Sequence, residues 1–527
     1  MHAHLLLING HIITLARPAR VEALAVVGER VVAVGSTDEM ISLQGPRTRV
    51  VDLGGRFAVP GLTDSHVHIA ALAEHLRELD LSNATTLAGA LRRVGARARR
   101  IPRGRWITGG RFDKNLWGEA FPTRHDLDRV APDHPVVLST KDGHTRWLNS
   151  LALKRCGITA STKSPAGGEI QRDNHGRPTG ILFENALGLV YRAPAFCRRE
   201  QAPLDLEKAM RHLVRQGVTS VHAMEGPDTL GRLQEIRKQG RLPLRVAAYL
   251  PPGAIPSLAA AGLRSGFGDE WLRLVGIKLF VDGTLGSQTA WLWEPYDNLR
   301  PSSRGIATIS VRELRRQVRE VATAALPCAV HAIGDRAVSE VLDVFSAVGD
   351  RRPPLPHRIE HIELVRPEDI GRFAAQSVAA SMQPIHIPGD IAPAERYWGK
   401  RARYAYPIGS LLRSGALVAF GSDAPVETAD PLAGMRAAVL RQSWDGKPAE
   451  GWYRQQHGIS ALEALRCYTT GPAAITGEAR LKGRLAPGYL ADMVVLSDDI
   501  TRLRGLRQAR VTMVVIGGKV AFRGRGH

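Results

Sequence analysis

Eight short apolar runs between residues 56 and 421, most of them separated by helix-patterned segments, constrain the fold of this chain more than any other feature. They are Arg56 to Thr63, Gly217 to Ala223, Leu244 to Leu250, Leu274 to Val281, Pro327 to Ala332, His357 to Ile362, Val378 to Met382 and Leu417 to Gly421. Continuous apolar runs without polar alternation read as strands buried on both faces, the pattern of a parallel sheet. Leu204 to Arg215, Val311 to Ala325 and Ala337 to Val348 carry the helical period between them. Eight strand-helix units predict an α/β fold: a closed (β/α)8 TIM-type barrel over residues 58–479, with its functional face at the C-terminal ends of the strands.

The two chain ends have a different texture. Leu5 to Ile8, Ile12 to Leu15, Ala23 to Val27, Arg30 to Val34 and Thr48 to Leu53 are short strands punctuated by Asn-Gly and Gly-Gly turns. Residues 492–496, 511–516 and 519–522 repeat the pattern around a Gly517-Gly518 hairpin turn. Neither set is a stable sheet alone, so 1–57 and 480–527 are expected to combine into one β-sandwich, two separate β caps being the alternative. About a hundred residues too many for a simple crossover separate a first helix at about Leu87 to Arg100 from the second barrel strand. Residues 101–203 therefore read as an insertion that leaves the barrel on its functional face and can act as a substrate wall or lid.

At the end of the first run, Asp64-Ser65-His66-Val67-His68 places two histidines at i and i+2, on one face of a strand. Such a pair is a metal-ligand signal only with distant partners. Lys278, His331, His361 and Asp423 supply them, each within or just beyond another apolar run. Imidazoles and a carboxylate are the donors a catalytic divalent metal needs. Lys278 is costly to bury unless paired or neutralised, and pairing with Asp282 or another carboxylate is one solution.

Composition narrows the function classes. Lys+Arg 71 against Asp+Glu 51 gives a net charge of +20, but the basic residues are scattered singly or in pairs, without a nucleic-acid-binding motif, so a solvated basic surface is expected and no specific nucleic acid partner. The four cysteines, Cys156, Cys197, Cys328 and Cys467, show no CxxC spacing, which fits a reducing compartment. No apolar run reaches membrane-spanning length. A cytoplasmic protein without a membrane partner is expected.

Read together, the motifs resemble the amidohydrolase superfamily, and more closely its amidohydrolase-3 (YtcJ-like) branch, which includes N-substituted formamide deformylases. They are Val59 to His68; Lys141 to His144 with Trp147 to Ser150; Gly180 to Ala186; Lys278 through Thr284 to Ala290; His331 to Ala337; Ile359 to His361; and Gly421 to Asp423. The resemblance spans nearly the whole chain. It implies a binuclear metal centre in which Lys278 is carbamylated and bridges two divalent ions, zinc first, with iron, nickel or manganese also compatible. His66, His68 and Asp423 would serve one ion, and His331 with His361 the other. It further implies hydrolysis of a non-peptide C-N bond in a small-molecule amide or formamide. Asp423 would be the catalytic residue, taking a proton from water and passing it to the leaving nitrogen. A homodimer is a family-level expectation.

Three residues are weighed as substrate contacts. His144 faces substrate on the resemblance or is a surface histidine; Glu184 contacts substrate or pairs with an arginine of the insertion; Asp282 contacts substrate or orients a metal ligand. His222 reads as structural. Trp117, Trp147, Trp291 and Trp293 suggest an aromatic or apolar substituent, although core packing explains such residues equally well. Two competing readings remain: a deaminase with one metal ion on the same scaffold, and a noncatalytic polyanion-binding protein.

Overall fold

A computed structural model of the chain describes residues 2–112, 117, 121–140, 145–165, 168–197, 204–286, 288–297, 302–348 and 353–524. Eight parallel strands form the central sheet, in chain order Leu62–Val67, Val218–Met224, Arg245–Leu250, Leu272–Phe280, Cys328–Ala332, Arg358–His361, Ala379–Met382 and Val418–Phe420. Nearly every residue in these strands is buried, because helices cover the outer face and side chains fill the inner one. The expected helices form at Leu206–Arg215, Val311–Thr323 and Asp335–Ser346. Ser310 caps the second of these by accepting from the Glu313 amide at 3.2 Å.

The last strand lies beside the first and completes the barrel wall. The Asp423 amide donates to the His66 carbonyl at 2.7 Å, and the His68 amide to the Ala424 carbonyl at 3.0 Å. Three candidate ligands thus sit on the seam.

The chain ends build one sandwich. A four-stranded sheet runs Arg30–Gly35, Ala23–Val27, Ala3–Ile8, Gln44–Asp52, and a six-stranded sheet runs Lys519–Arg523, Val511–Ile516, Met493–Leu496, Phe57–Pro60, His11–Ile13, Arg20–Val21. Leu5, Leu7, Leu24 and Val26 share a core with Met493, Val495, Met513 and Val515. The run from Arg56 to Thr63 is not one barrel strand: Phe57–Pro60 pairs antiparallel with Met493–Leu496, and the barrel strand starts only at Leu62. Gly61 makes the transfer. Its amide donates to the Asp492 carbonyl at 2.8 Å, and a Cβ there would stand 2.2 Å from Thr219 Oγ1.

Buried ion pairs tie the C-terminal segment to the barrel. Arg245 Nε lies 2.7 Å from Asp492 Oδ2. Lys482 Nζ lies 2.8 Å from Glu478 Oε2 and donates to Ser220 Oγ at 2.8 Å. Burial alone would raise the Glu478 carboxyl, but Lys482 and Arg273 outweigh it and hold it below its ordinary value. A carboxyl depressed in the folded state stabilises fully above its unfolded value, ~4.3, and that contribution is lost as pH falls through the lower folded value. Glu478→Gln is therefore expected to lose about 3 kcal/mol at neutral pH, with the gap to wild type narrowing below about pH 4. Denaturant unfolding of both proteins at neutral pH and in acid checks this, and a gap independent of pH would refute the ion-pair origin.

A second compact unit spans Leu72–Asp205. Its sheet runs Gly168–Arg172, Pro178–Glu184, Thr145–Leu148, Val136–Thr140, Ile107–Phe112, Leu79–Asp80. The helix Leu87–Ala98, expected to cover the barrel, belongs here: Ala90 and Val94 pack in one core with Ile107, Phe112, Leu127 and Trp147. The excursion from the barrel therefore begins at Leu72 rather than 101. Trp147 is fully buried in that core, and Trp117 stacks on Phe112 with ring centroids 4.9 Å apart, so both serve packing.

Candidate metal centre

Five of the six expected ligands converge at the C-terminal ends of barrel strands by contacts that can be measured. His66 Nε2 lies 3.4 Å and His68 Nε2 3.1 Å from Asp423 Oδ1. The His66 and His361 rings are 5.0 Å apart, and those of His361 and His331 4.4 Å. The donor atoms of His66, His361 and Asp423 all lie within 4.8 Å of one another. His361 thus stands between His66 and His331, and this grouping differs from the division into His66, His68 and Asp423 on one side and His331 with His361 on the other.

Hydrogen bonds set the tautomers. A carboxylate or carbonyl can only accept, so the nitrogen facing it carries the proton and the other offers its lone pair. His66 Nδ1 donates to Glu360 Oε2 at 2.7 Å, and His68 Nδ1 to the Met224 carbonyl at 3.2 Å. Nε2 is therefore the nitrogen each ring turns into the site, where it faces Asp423 Oδ1. His331 is inverted: Nε2 donates to the Gly283 carbonyl at 3.0 Å, leaving Nδ1.

Burial and the Lys278 charge push His66 down to about 4 and His331 to about 3, while burial and His331 push His361 well below the ordinary value. At neutral pH these are neutral imidazoles, the ligating form. Burial opposes ionisation of Asp423, yet His66 and His68 hold its carboxyl far below the usual range. His361 and Asp423 also adopt left-handed backbone, at φ 75° and 58°, strain of the kind that collects at functional sites.

Lys278 lies two residues inside the end of Leu272–Phe280. It does not pair with Asp282: among the described residues its Nζ is buried without a hydrogen-bond partner, 4.7 Å from the Phe280 ring centroid. Burial lowers its ammonium to about 8, against the opposing pull of Glu360 and Asp423. Asp282 is also not a substrate contact. Its side chain is fully buried, and it accepts the backbone amides of Trp291, Ile333 and Gly334 at 2.9, 3.0 and 2.8 Å. It stands 3.6 Å from His331 Nε2, so it braces the segments that follow the strands carrying Lys278 and His331. His144 lies outside the described residues, as does the side chain of Glu184.

Three charged residues on the barrel interior are absent from the sequence-based expectation. Glu360 joins His66 to Arg358, whose Nε is 2.5 Å from Glu360 Oε1. Arg358 also donates to the Ser65 carbonyl at 3.0 Å and to His222 Nδ1 at 2.9 Å, which makes His222 structural. Although burial opposes it, Arg358 and His66 hold the Glu360 carboxyl down at about 2. The available signal was two opposite charges at i and i+2 in a four-residue strand, hence on one face. Asp64 is the other bracing carboxylate, accepting from the amides of His66 and Ser422 at 3.1 and 2.9 Å across the seam.

The model of the amidohydrolase family matches residues 49–522. YtcJ of Bacillus subtilis is 31% identical over 517 residues, covering 95% of this chain and 96% of that protein. The N-substituted formamide deformylase of Arthrobacter pascens is 28% identical over 543 residues, 99% of each. Among solved structures, an uncharacterized metal-dependent hydrolase from Pyrococcus furiosus is 32% identical with a TM-score of 0.74, covering 94% of this chain and 100% of that one. With every barrel strand and each expected ligand inside the matched span, this chain belongs to the amidohydrolase family and its fold is that of a metal-dependent hydrolase.

Proposed function

We propose that the protein hydrolyses a non-peptide C-N bond, in a small amide or N-substituted formamide, at a binuclear centre bridged by carbamylated Lys278. The observation that carries this reading is Lys278 itself, a buried amine beside the candidate histidine ligands, with no hydrogen-bond partner among the described residues. Burial lowers its ammonium to about 8, so near neutrality a larger share is the neutral amine that can attack carbon dioxide, losing a proton to become a carbamate. That change replaces a misplaced cation with two oxygen donors. The donor set of imidazoles and carboxylates fits zinc, and also iron, nickel or manganese. His66, His68, His331, His361, Asp423 and the modified Lys278 would hold the ions, which acidify a water and polarise the scissile carbonyl. Asp423, ionised and acceptor-only, takes a proton on its carboxylate and returns it to the leaving nitrogen. The Arthrobacter pascens relative supports formamides as first substrates to screen.

Elemental mass spectrometry of the wild type and Lys278→Ala tests the bridge. The substitution is expected to remove about one to two divalent ions per chain together with amide hydrolysis. An unchanged metal count would make Lys278 structural and move single-metal deaminase substrates to the front.

A further inference from the structure

A second donor group lies outside the barrel centre. Glu363, His386 and Asp390 have donor atoms within 4.8 Å of one another. Glu363 follows the strand Arg358–His361 by two residues, His386 ends the short 3-10 turn Pro384–His386, and Asp390 lies in the first turn of the helix Ile387–Trp398. They therefore converge at the ends of the sixth and seventh barrel strands. Three features describe a cation site there.

First, Glu363 is 4% exposed and its Oε2 is buried without a hydrogen-bond partner among the described residues. Second, the carboxyls are crowded: Asp390, Asp282 and Asp423 lie around Glu363, and His386 and Glu427 lie beside Asp390. Tyr406 bonds both Asp390 and Glu363, but a phenol has a single proton and cannot satisfy two carboxylates. Third, His386 Nε2 lies 3.3 Å from the Ser422 carbonyl. That oxygen only accepts, so Nε2 holds the proton and the Nδ1 lone pair is available for ligation.

We propose that Glu363, His386 and Asp390 form a further divalent-cation site, separate from the ligands of the barrel centre, with the Tyr406 hydroxyl holding Asp390 in place. Two carboxylates and a divalent ion sum to neutrality, which removes the cost of burying paired anions. One imidazole with two carboxylates suits zinc or manganese. The inference concerns metal binding alone and holds whichever substrate the barrel centre takes.

Crystals of the full-length protein equilibrated with excess zinc chloride, measured at the zinc absorption edge, test it. An anomalous peak about 2.0–2.2 Å from Glu363, His386 and Asp390 is the expected result. Occupied barrel ligands with no peak at this second place would overturn it, leaving carboxyls that share a proton. In solution, the near-isosteric Glu363→Gln/Asp390→Asn protein should lose about one zinc per chain relative to wild type. An unchanged count in that protein, folded by circular dichroism, also refutes the site. If this pair lowers the count while Lys278→Ala does not, the bridged centre fails and the second site stands.

Discussion

Asp423→Asn lowers amide hydrolysis by about 10²–10⁴-fold, the range removed with a general acid-base group, while the fold and most of the metal remain. The backbone favours this test. Asp423 sits at φ 58°, a left-handed conformation that asparagine tolerates, so the substitution changes chemistry without straining the chain. Asp423 Oδ1 is within 3.1 Å of His68 and 3.4 Å of His66, and an amide oxygen can still occupy that place but cannot hold the proton. Rates measured on protein whose metal content is determined in parallel separate the two roles. Full activity with the metals bound would remove Asp423 from proton transfer; lost activity with lost metal would make it a ligand first.

Glu360→Ala is expected to destabilise the protein by about 3–5 kcal/mol, because it leaves the Arg358 guanidinium buried without its counter-charge. Both side chains are wholly buried, and the pair spans 2.5 Å. The same substitution strips the hydrogen bond from His66 Nδ1, and losing such an outer partner typically costs about 10–100-fold in metal affinity. Denaturant unfolding reads the first effect and competition with a chromogenic chelator the second. Glu360→Gln with Arg358→Met separates them: removing both charges should recover much of the stability, but His66 keeps only a neutral amide partner and metal affinity stays reduced. A Glu360→Ala protein as stable as wild type would show that Arg358 finds another counter-charge.

Much of the fold was legible for a simple reason. Strands covered on both faces are apolar throughout, so the eight barrel runs stand out, and their helices show a clear period. Phe57–Pro60 and Leu62–Val67 were read as one strand because both halves are apolar, and composition does not tell which sheet a strand joins. The same limit applied to Leu87–Ala98, whose apolar face was visible while the sheet it covers was not.

The candidate ligands stand out in the sequence because histidines and an aspartate at the ends of buried strands have few structural uses. Their supporting residues do not. Glu360, Arg358 and Asp64 act through neighbours hundreds of positions away, as Glu360 does on His66 across 294 residues. Asp282 reads from the sequence as a substrate contact or as the orienter of a metal ligand, and only the structure shows its oxygens spent on three backbone amides. The sequence by itself determined the barrel, the sandwich built from both chain ends and the candidate ligands, since these follow from local periodicity and residue type. Only the tertiary structure decided which histidine nitrogen turns into the site, that Lys278 has no carboxylate partner among the described residues, and that Glu363, His386 and Asp390 meet. Those depend on distances between strands that only closing the barrel brings together.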